Sequence, residues 1–433
     1  MTDTKKIFQL IFFNFLMLTF VFGRTFMGLY IFNFRIGELL VALSMLFSTY
    51  LILNRNKIII QFGRVHFYLH ILIIISFLIS SFFSDSSFFT AYTYKSSSYI
   101  WAISAIYLGK FYFDDFKITK NLTILLQLAL ILGYVLSIVY YPNLLIEFFN
   151  NYSDKWDFMK ASSLALVFFI SVLINNNKNY FGRFTYEYFL FCIFLFTPFF
   201  LYKSRGAFIA FIFLVVVQLI KYRKVIFTFD IRFLIILIIS FSLFGISTLR
   251  VLNQDPVELA EDNQLIEIFY SGDAVKKLKN QKDTKVESFF SFYTNNGRLY
   301  SIDGNINWRM QIWQDVYLDL VNDDKLFFGN GYKDKIPAME KFERQGRDGS
   351  NENVHNFIFN ILARGGLVQL VLFIFLFINL FKQVLSKNWN KSSLQLMLAV
   401  FIVSSFDASM ENAHFPIIFY MFFYYFLNDK TNN

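Results

Sequence analysis

Between Arg232 and Arg250 the chain reads FLIILIISFSLFGISTL, residues 233–249, without one charged side chain. At about 1.5 Å of rise per residue such a helix approaches the ~30 Å hydrocarbon core of a bilayer. It also satisfies its own backbone hydrogen bonds, the condition for crossing lipid. Directly after it, residues 250–353 turn polar and rich in Asn, Asp and Lys. This junction sets the architecture: a bundle of apolar spans interrupted once by a large water-facing insertion.

Outward from that junction, apolar runs recur near 7–23, 29–53, 67–83, 90–109, 121–141, 161–176, 185–203, 206–220, 354–381, 393–408 and 414–427. With 233–249 they predict about twelve transmembrane helices, at about 20 residues per crossing. An even number puts both termini on one side. The first run ends in Gly23-Arg24-Thr25 without a small-x-small cleavage site and reads as a retained span. If the N-terminus starts in the cytoplasm, the inner segments carry eighteen Lys and Arg, from Lys5 to Lys430. The short outer loops carry six: Arg24, Lys95, Lys155, Lys160, Lys203 and Arg205. That bias is the one positive-inside topology requires. The expected fold is an all-α polytopic membrane helix bundle: 1–249 with the first nine spans, 250–353 as an extracytoplasmic loop, and 354–433 with the last three, both termini being cytoplasmic.

Hydrophobic residues make up 56% of the chain and charged ones 16%, against about 25% charged in a soluble domain. The net charge of +9 is spread between apolar runs, so it points to membrane topology and not to nucleic acid. A single cysteine, Cys192, lies inside a span, which excludes an intrachain disulfide and a cysteine zinc cluster. His66 and His70 have metal-like helical spacing but no third ligand, and read as packing. No phosphate-loop, dinucleotide or zinc-protease motif occurs, so no cofactor and no metal is expected.

Within the loop, 255–296 reads as loosely structured. Ile306, Met310, Trp313, Tyr317 and Leu320 then recur at helical spacing and predict an amphipathic helix over 306–320. After Asn322-Asp323-Asp324 comes Leu326-Phe327-Phe328-Gly329-Asn330-Gly331-Tyr332, where two glycines permit a tight turn against the bundle. Three outer residues stand out: Arg205 between the seventh and eighth spans, Arg309 on the amphipathic helix, and His355 at the mouth of the tenth span.

Ser204-Arg205-Gly206-Ala207, then Arg309-Met310-Gln311-Ile312-Trp313, Gly329-Asn330-Gly331-Tyr332, and His355-Asn356 leading to Gly365-Gly366, in this order and on one side of the membrane, resemble the bacterial O-antigen ligase and O-antigen polymerase superfamily. The resemblance covers about residues 200–410. Gln369 stands where that family has the second glycine of a spaced pair, and Phe34-Arg35-Ile36-Gly37-Glu38 is a faint N-terminal echo.

The resemblance implies a lipid-sugar glycosyltransferase fold and transfer from an undecaprenyl-diphosphate-linked glycan to a sugar hydroxyl, in the bacterial inner membrane. It implies Arg205 and Arg309 as diphosphate ligands, since a guanidinium fork stays charged and donates several hydrogen bonds. His355 would be the general base, imidazole titrating near neutral pH, and Asp407 would orient it or an arginine. Glu411 and His414 share Asp407's turn. Arg364, about 13 Å beyond His355 along an ideal helix, would contact substrate or pair with Glu38. The expected activity is metal-independent polymerisation of repeat units. The alternatives are a ligase using lipid A core as acceptor and, more weakly, a lipid-linked sugar flippase. A chain-length regulator is a further expected partner, and nucleic acid is not.

Overall fold

The computed structural model describes residues 3–54, 63–84, 90–114, 116–154, 159–227, 230–252, 292–301, 304–345, 351–386 and 391–429. Its helices include α1 (Asp3–Phe22), α2 (Ile36–Leu53), α3 (Arg64–Phe83), α4 (Ala105–Phe113), α5 (Lys120–Ile138), α6 (Ala161–Lys178), α7 (Arg183–Lys203), α8 (Arg205–Ile226), α9 (Ile231–Leu252), α10 (Gly304–Asn322), α11 (Phe357–Ser386), α12 (Lys391–Ser404) and α13 (His414–Asn428). Several start where a side chain takes an orphan backbone donor. Thr119 accepts from Leu122 N at 3.4 Å, Ser204 from Ala207 N at 3.3 Å, and Asn356 from Ile358 N at 2.9 Å.

Seven of these helices, α2, α3, α5, α7, α8, α9 and α11, are long and apolar enough to cross a membrane. Shorter apolar stretches lie at Gln9–Phe22 in α1 and along α12. The chain is a multi-pass, helical membrane protein. Several runs differ in detail from continuous spans, two of them near the N-terminus. The second opens with a small hairpin, β1 (Tyr30–Ile31) and β2 (Phe34–Arg35). The fourth is broken into Ala91–Ser96, Ser98–Trp101 and a 3-10 turn before α4, because its serine-rich sequence spends its hydroxyls on the backbone.

Burial separates the helices into centre and rim. Along α6, nearly every side chain from Ala161 to Asn176 is buried, as are those of α13, and a helix apolar on all faces belongs in the middle of a bundle. On α9, Ile235, Ile238, Phe241 and Ile246 are exposed, the composition of a lipid-facing surface. Buried polar links tie helices together. Asn176 donates to Gln218 at 3.0 Å and Gln218 to Gln395 at 2.5 Å, tying α6, α8 and α12.

The amphipathic helix occurs as α10. The loosely structured reading of 255–296 falls mostly outside the described residues, but its end is ordered. Strands β3 (Phe292–Asn295) and β4 (Arg298–Ser301) pair antiparallel around Asn296-Gly297, both with positive φ. Asn-Gly is a strong short-range hairpin signal, and it lay unread in the sequence. The hairpin is pinned to α10 by buried Asp315, which accepts from Arg298 and Arg344, each at 2.6 Å.

The two glycines of Leu326–Tyr332 do meet the bundle, at a break in α11. Gly366 has φ 68° and interrupts the helix. The loop backbone fills the gap: Asn330 N and Gly331 N donate to the carbonyls of Ala363 and Arg364 at 2.8 and 2.9 Å. In return, Leu367 N and Val368 N donate to Leu326 and Phe327 at 2.9 and 3.2 Å. A Cβ on Gly329 would collide with the Arg364 carbonyl, and one on Gly366 with the Phe327 carbonyl. Gln369 hydrogen-bonds with Tyr99 and Tyr332 in the same buried joint.

Candidate functional site

The turn between α12 and α13 organises the site. Helix α12 ends at Ser404, so Asp407, inside the run 393–408, stands on a turn and not in a span. Asn356 holds this turn by donating to the Ser405 carbonyl at 3.0 Å while capping α11. Arg309, reaching from the first turns of α10, donates to the Phe406 carbonyl. Gly206, at the start of α8, lies so close to Phe406 that a Cβ there would collide with the Phe406 Cβ. The structure therefore brings Arg309, Asp407 and His355 to one turn and sets Arg205 beside the glycine packed on it.

His355 precedes α11 in the left-handed region, φ 51°, a conformation that costs a non-glycine residue of order 1–3 kcal/mol and recurs at functional sites. Its Nε2 lies 3.2 Å from Asn351 Oδ1, and its ring 5.3 Å from the Trp308 indole. The Nδ1 atom lies 3.9 Å from an Asp407 carboxylate oxygen, an ion-pair separation and too long for a hydrogen bond. Burial pulls the imidazole below its ordinary pKa; Asp407 opposes this, while Arg309 and Lys160 add to it. For Asp407 burial acts upward, but His355 and Lys160 outweigh it and hold the carboxyl well below the usual range. The pair is thus a neutral imidazole beside an ionised carboxylate near pH 7.

Glu411 lies in the same turn, and burial pushes it up to about 8. Of the two expectations for Arg364, substrate contact or pairing with Glu38, the structure does not show the pairing. The Arg364 guanidinium donates to the carbonyls of Gly331 (3.4 Å) and Asp334 (3.2 Å) and to the Tyr92 hydroxyl (3.1 Å). Glu38 instead caps α2, accepting from Arg35 N at 3.0 Å, and Arg35 also pairs with Asp154. The i, i+3 spacing of Arg35 and Glu38 already allowed that local pairing.

Trp308, Asn351 and Lys160 were not singled out from the sequence. Trp308 adjoins Arg309 and could have been read with it. Asn351 and Lys160 carry no sequence signal, since only the fold brings them to His355 and Asp407.

No curated protein matches the chain. Residues 190–374, from α7 through α10 and past the break in α11, match the family model described as O-antigen ligase, a match that supports the O-antigen ligase and polymerase superfamily for this segment.

Proposed function

We propose that the chain polymerises undecaprenyl-diphosphate-linked repeat units at the outer face of the bacterial inner membrane. The observation that carries the reading is the convergence of Arg309, His355 and Asp407 on the turn after α12. With Nε2–H assigned to the Asn351 contact, His355 Nδ1 keeps its lone pair and takes the proton of the attacking sugar hydroxyl. That oxygen bonds to the donor's anomeric carbon as the bond to the diphosphate breaks. Arg205 and Arg309 hold the departing diphosphate as its charge grows, and Asp407 stabilises the imidazolium. No metal is assigned a role.

The match to a model described as O-antigen ligase favours one second reading, transfer to lipid A core. The test uses purified protein in detergent with lipid-linked repeat units and chelator, read as a ladder of chain lengths. We expect a ladder from the wild type. His355→Ala and His355→Gln should both lose it, with rates down about 10²- to 10⁴-fold. A ladder from His355→Ala removes the residue from catalysis, loss of the wild-type ladder on chelation overturns the metal-free step, and product only with lipid A core present makes the protein a ligase.

A further inference from the structure

Arg364 is 4% exposed, in the turn of α11 just before the Gly366 break. Its three hydrogen bonds end on two carbonyls and a phenol, all neutral acceptors. Among the described residues no carboxylate lies within ion-pair distance of it. A guanidinium cannot shed its charge, and burying it without a counterion costs several kcal/mol. Such a group is completed by an anion.

The surroundings are basic. The Tyr92 ring carries two cations, with Arg364 Cζ 5.4 Å and Lys95 Nζ 5.3 Å from its centroid. Lys95 and Lys335 share one carboxylate, Glu352, at 2.6 and 3.5 Å. Glu411 is within electrostatic reach of Arg364 and Lys95, but its raised pKa leaves it mainly protonated at neutral pH. This cradle is built from 92–95, 331–335 and Arg364, whereas the donor clamp is built from Arg205, Arg309 and the Phe406 turn. Glu352 and Asn351 are adjacent in the chain, and Asn351 contacts His355, so the backbone at 351–352 links the cradle to the site around His355.

We propose that Arg364, Lys95 and Tyr92 bind the diphosphate of a second lipid-linked glycan, the acceptor, while the first clamp holds the donor. The inference rests on the transfer reading above. In polymerisation both partners carry a diphosphate; the donor's leaves and the acceptor's stays, so two such polyanions must be held apart.

Equilibrium binding of farnesyl diphosphate to the purified full-length protein in detergent tests this without turnover. The wild type should bind two equivalents, and Arg364→Gln with Lys95→Gln should bind one. Because Arg364 is buried, Lys95→Gln alone is the control for folding. It should weaken the second equivalent about tenfold without moving Tm, about 1.4 kcal/mol in binding. Arg205→Gln with Arg309→Gln should remove the other equivalent and spare this one, so failure of the donor clamp and failure of the second site read differently. Inorganic diphosphate should displace the second equivalent, and farnesol should not. One equivalent in the wild type, two of unchanged affinity in the Arg364/Lys95 variant, or displacement by farnesol would overturn the proposal.

Discussion

At the residue scale, the site depends on how neighbours tune two side chains. His355 as base must be neutral, and its pKa lies below the ordinary 6.5. Turnover should therefore hold through neutral pH and fall only as the pH drops below 6.5 into the range where the imidazole protonates. Asp407 raises that pKa by stabilising the cation, so Asp407→Asn should move the acid limb further down while also lowering the plateau. A pH–rate profile of chain extension checks both, and an unmoved limb would mean that His355 is not the titrating group. Arg309→Lys keeps the charge but replaces a planar fork by a point donor. Losing a charge-assisted hydrogen bond worth about 1.5–3 kcal/mol should slow turnover about 10- to 150-fold, measured as the rate of ladder growth. Near wild-type activity would leave Arg309 as a structural tie to the Phe406 carbonyl.

At the element scale, the joint between Leu326–Tyr332 and the broken α11 positions both the loop and Arg364. Gly329 and Gly366 have φ of 74° and 68°, and each faces a carbonyl across the joint. Gly329→Ala or Gly366→Ala should each cost on the order of 2–4 kcal/mol through positive-φ strain and overpacking, seen as a lower Tm in detergent and lost activity. Gly245 provides the contrast: it lies inside α9 with open space where a Cβ would go. Gly245→Ala should be neutral or stabilising by about 0.5–1 kcal/mol. Equal destabilisation at all three positions would indicate a general intolerance and not a close-packed joint. Two glycines in a loop and two in a span were visible in the sequence, but nothing in the spacing said that they meet.

At the scale of the whole molecule, the candidate residues gather at one end of the bundle. Ser96 donates to the Tyr332 carbonyl at 2.7 Å and Ser98 to the Glu411 carbonyl at 2.8 Å, drawing distant loops together there. The charge bias of the short loops leads us to expect that end outside. Alkaline phosphatase fused after Asn280 should be active and a fusion after Asn433 inactive. The reverse pattern would put the site on the cytoplasmic face and end the reading in which lipid-linked glycans are joined outside.

What the sequence determined by itself is what local composition controls. An uncharged run such as 233–249 must be a helix if it enters lipid, because no other segment satisfies its own backbone. The spacing of Ile306 to Leu320 fixed α10 in the same way, and short motifs in order pointed to the superfamily. Tertiary structure decided the partnerships: Arg309 on the Phe406 carbonyl, His355 beside Asp407, and Arg364 turned to Tyr92 and the 331–334 carbonyls while Glu38 was taken locally by Arg35. Apart from the local Arg35–Glu38 pair, those contacts join residues tens to hundreds of positions apart. Their energies depend on burial and on which backbone can approach closely, and neither quantity is written in the spacing of residues along one chain.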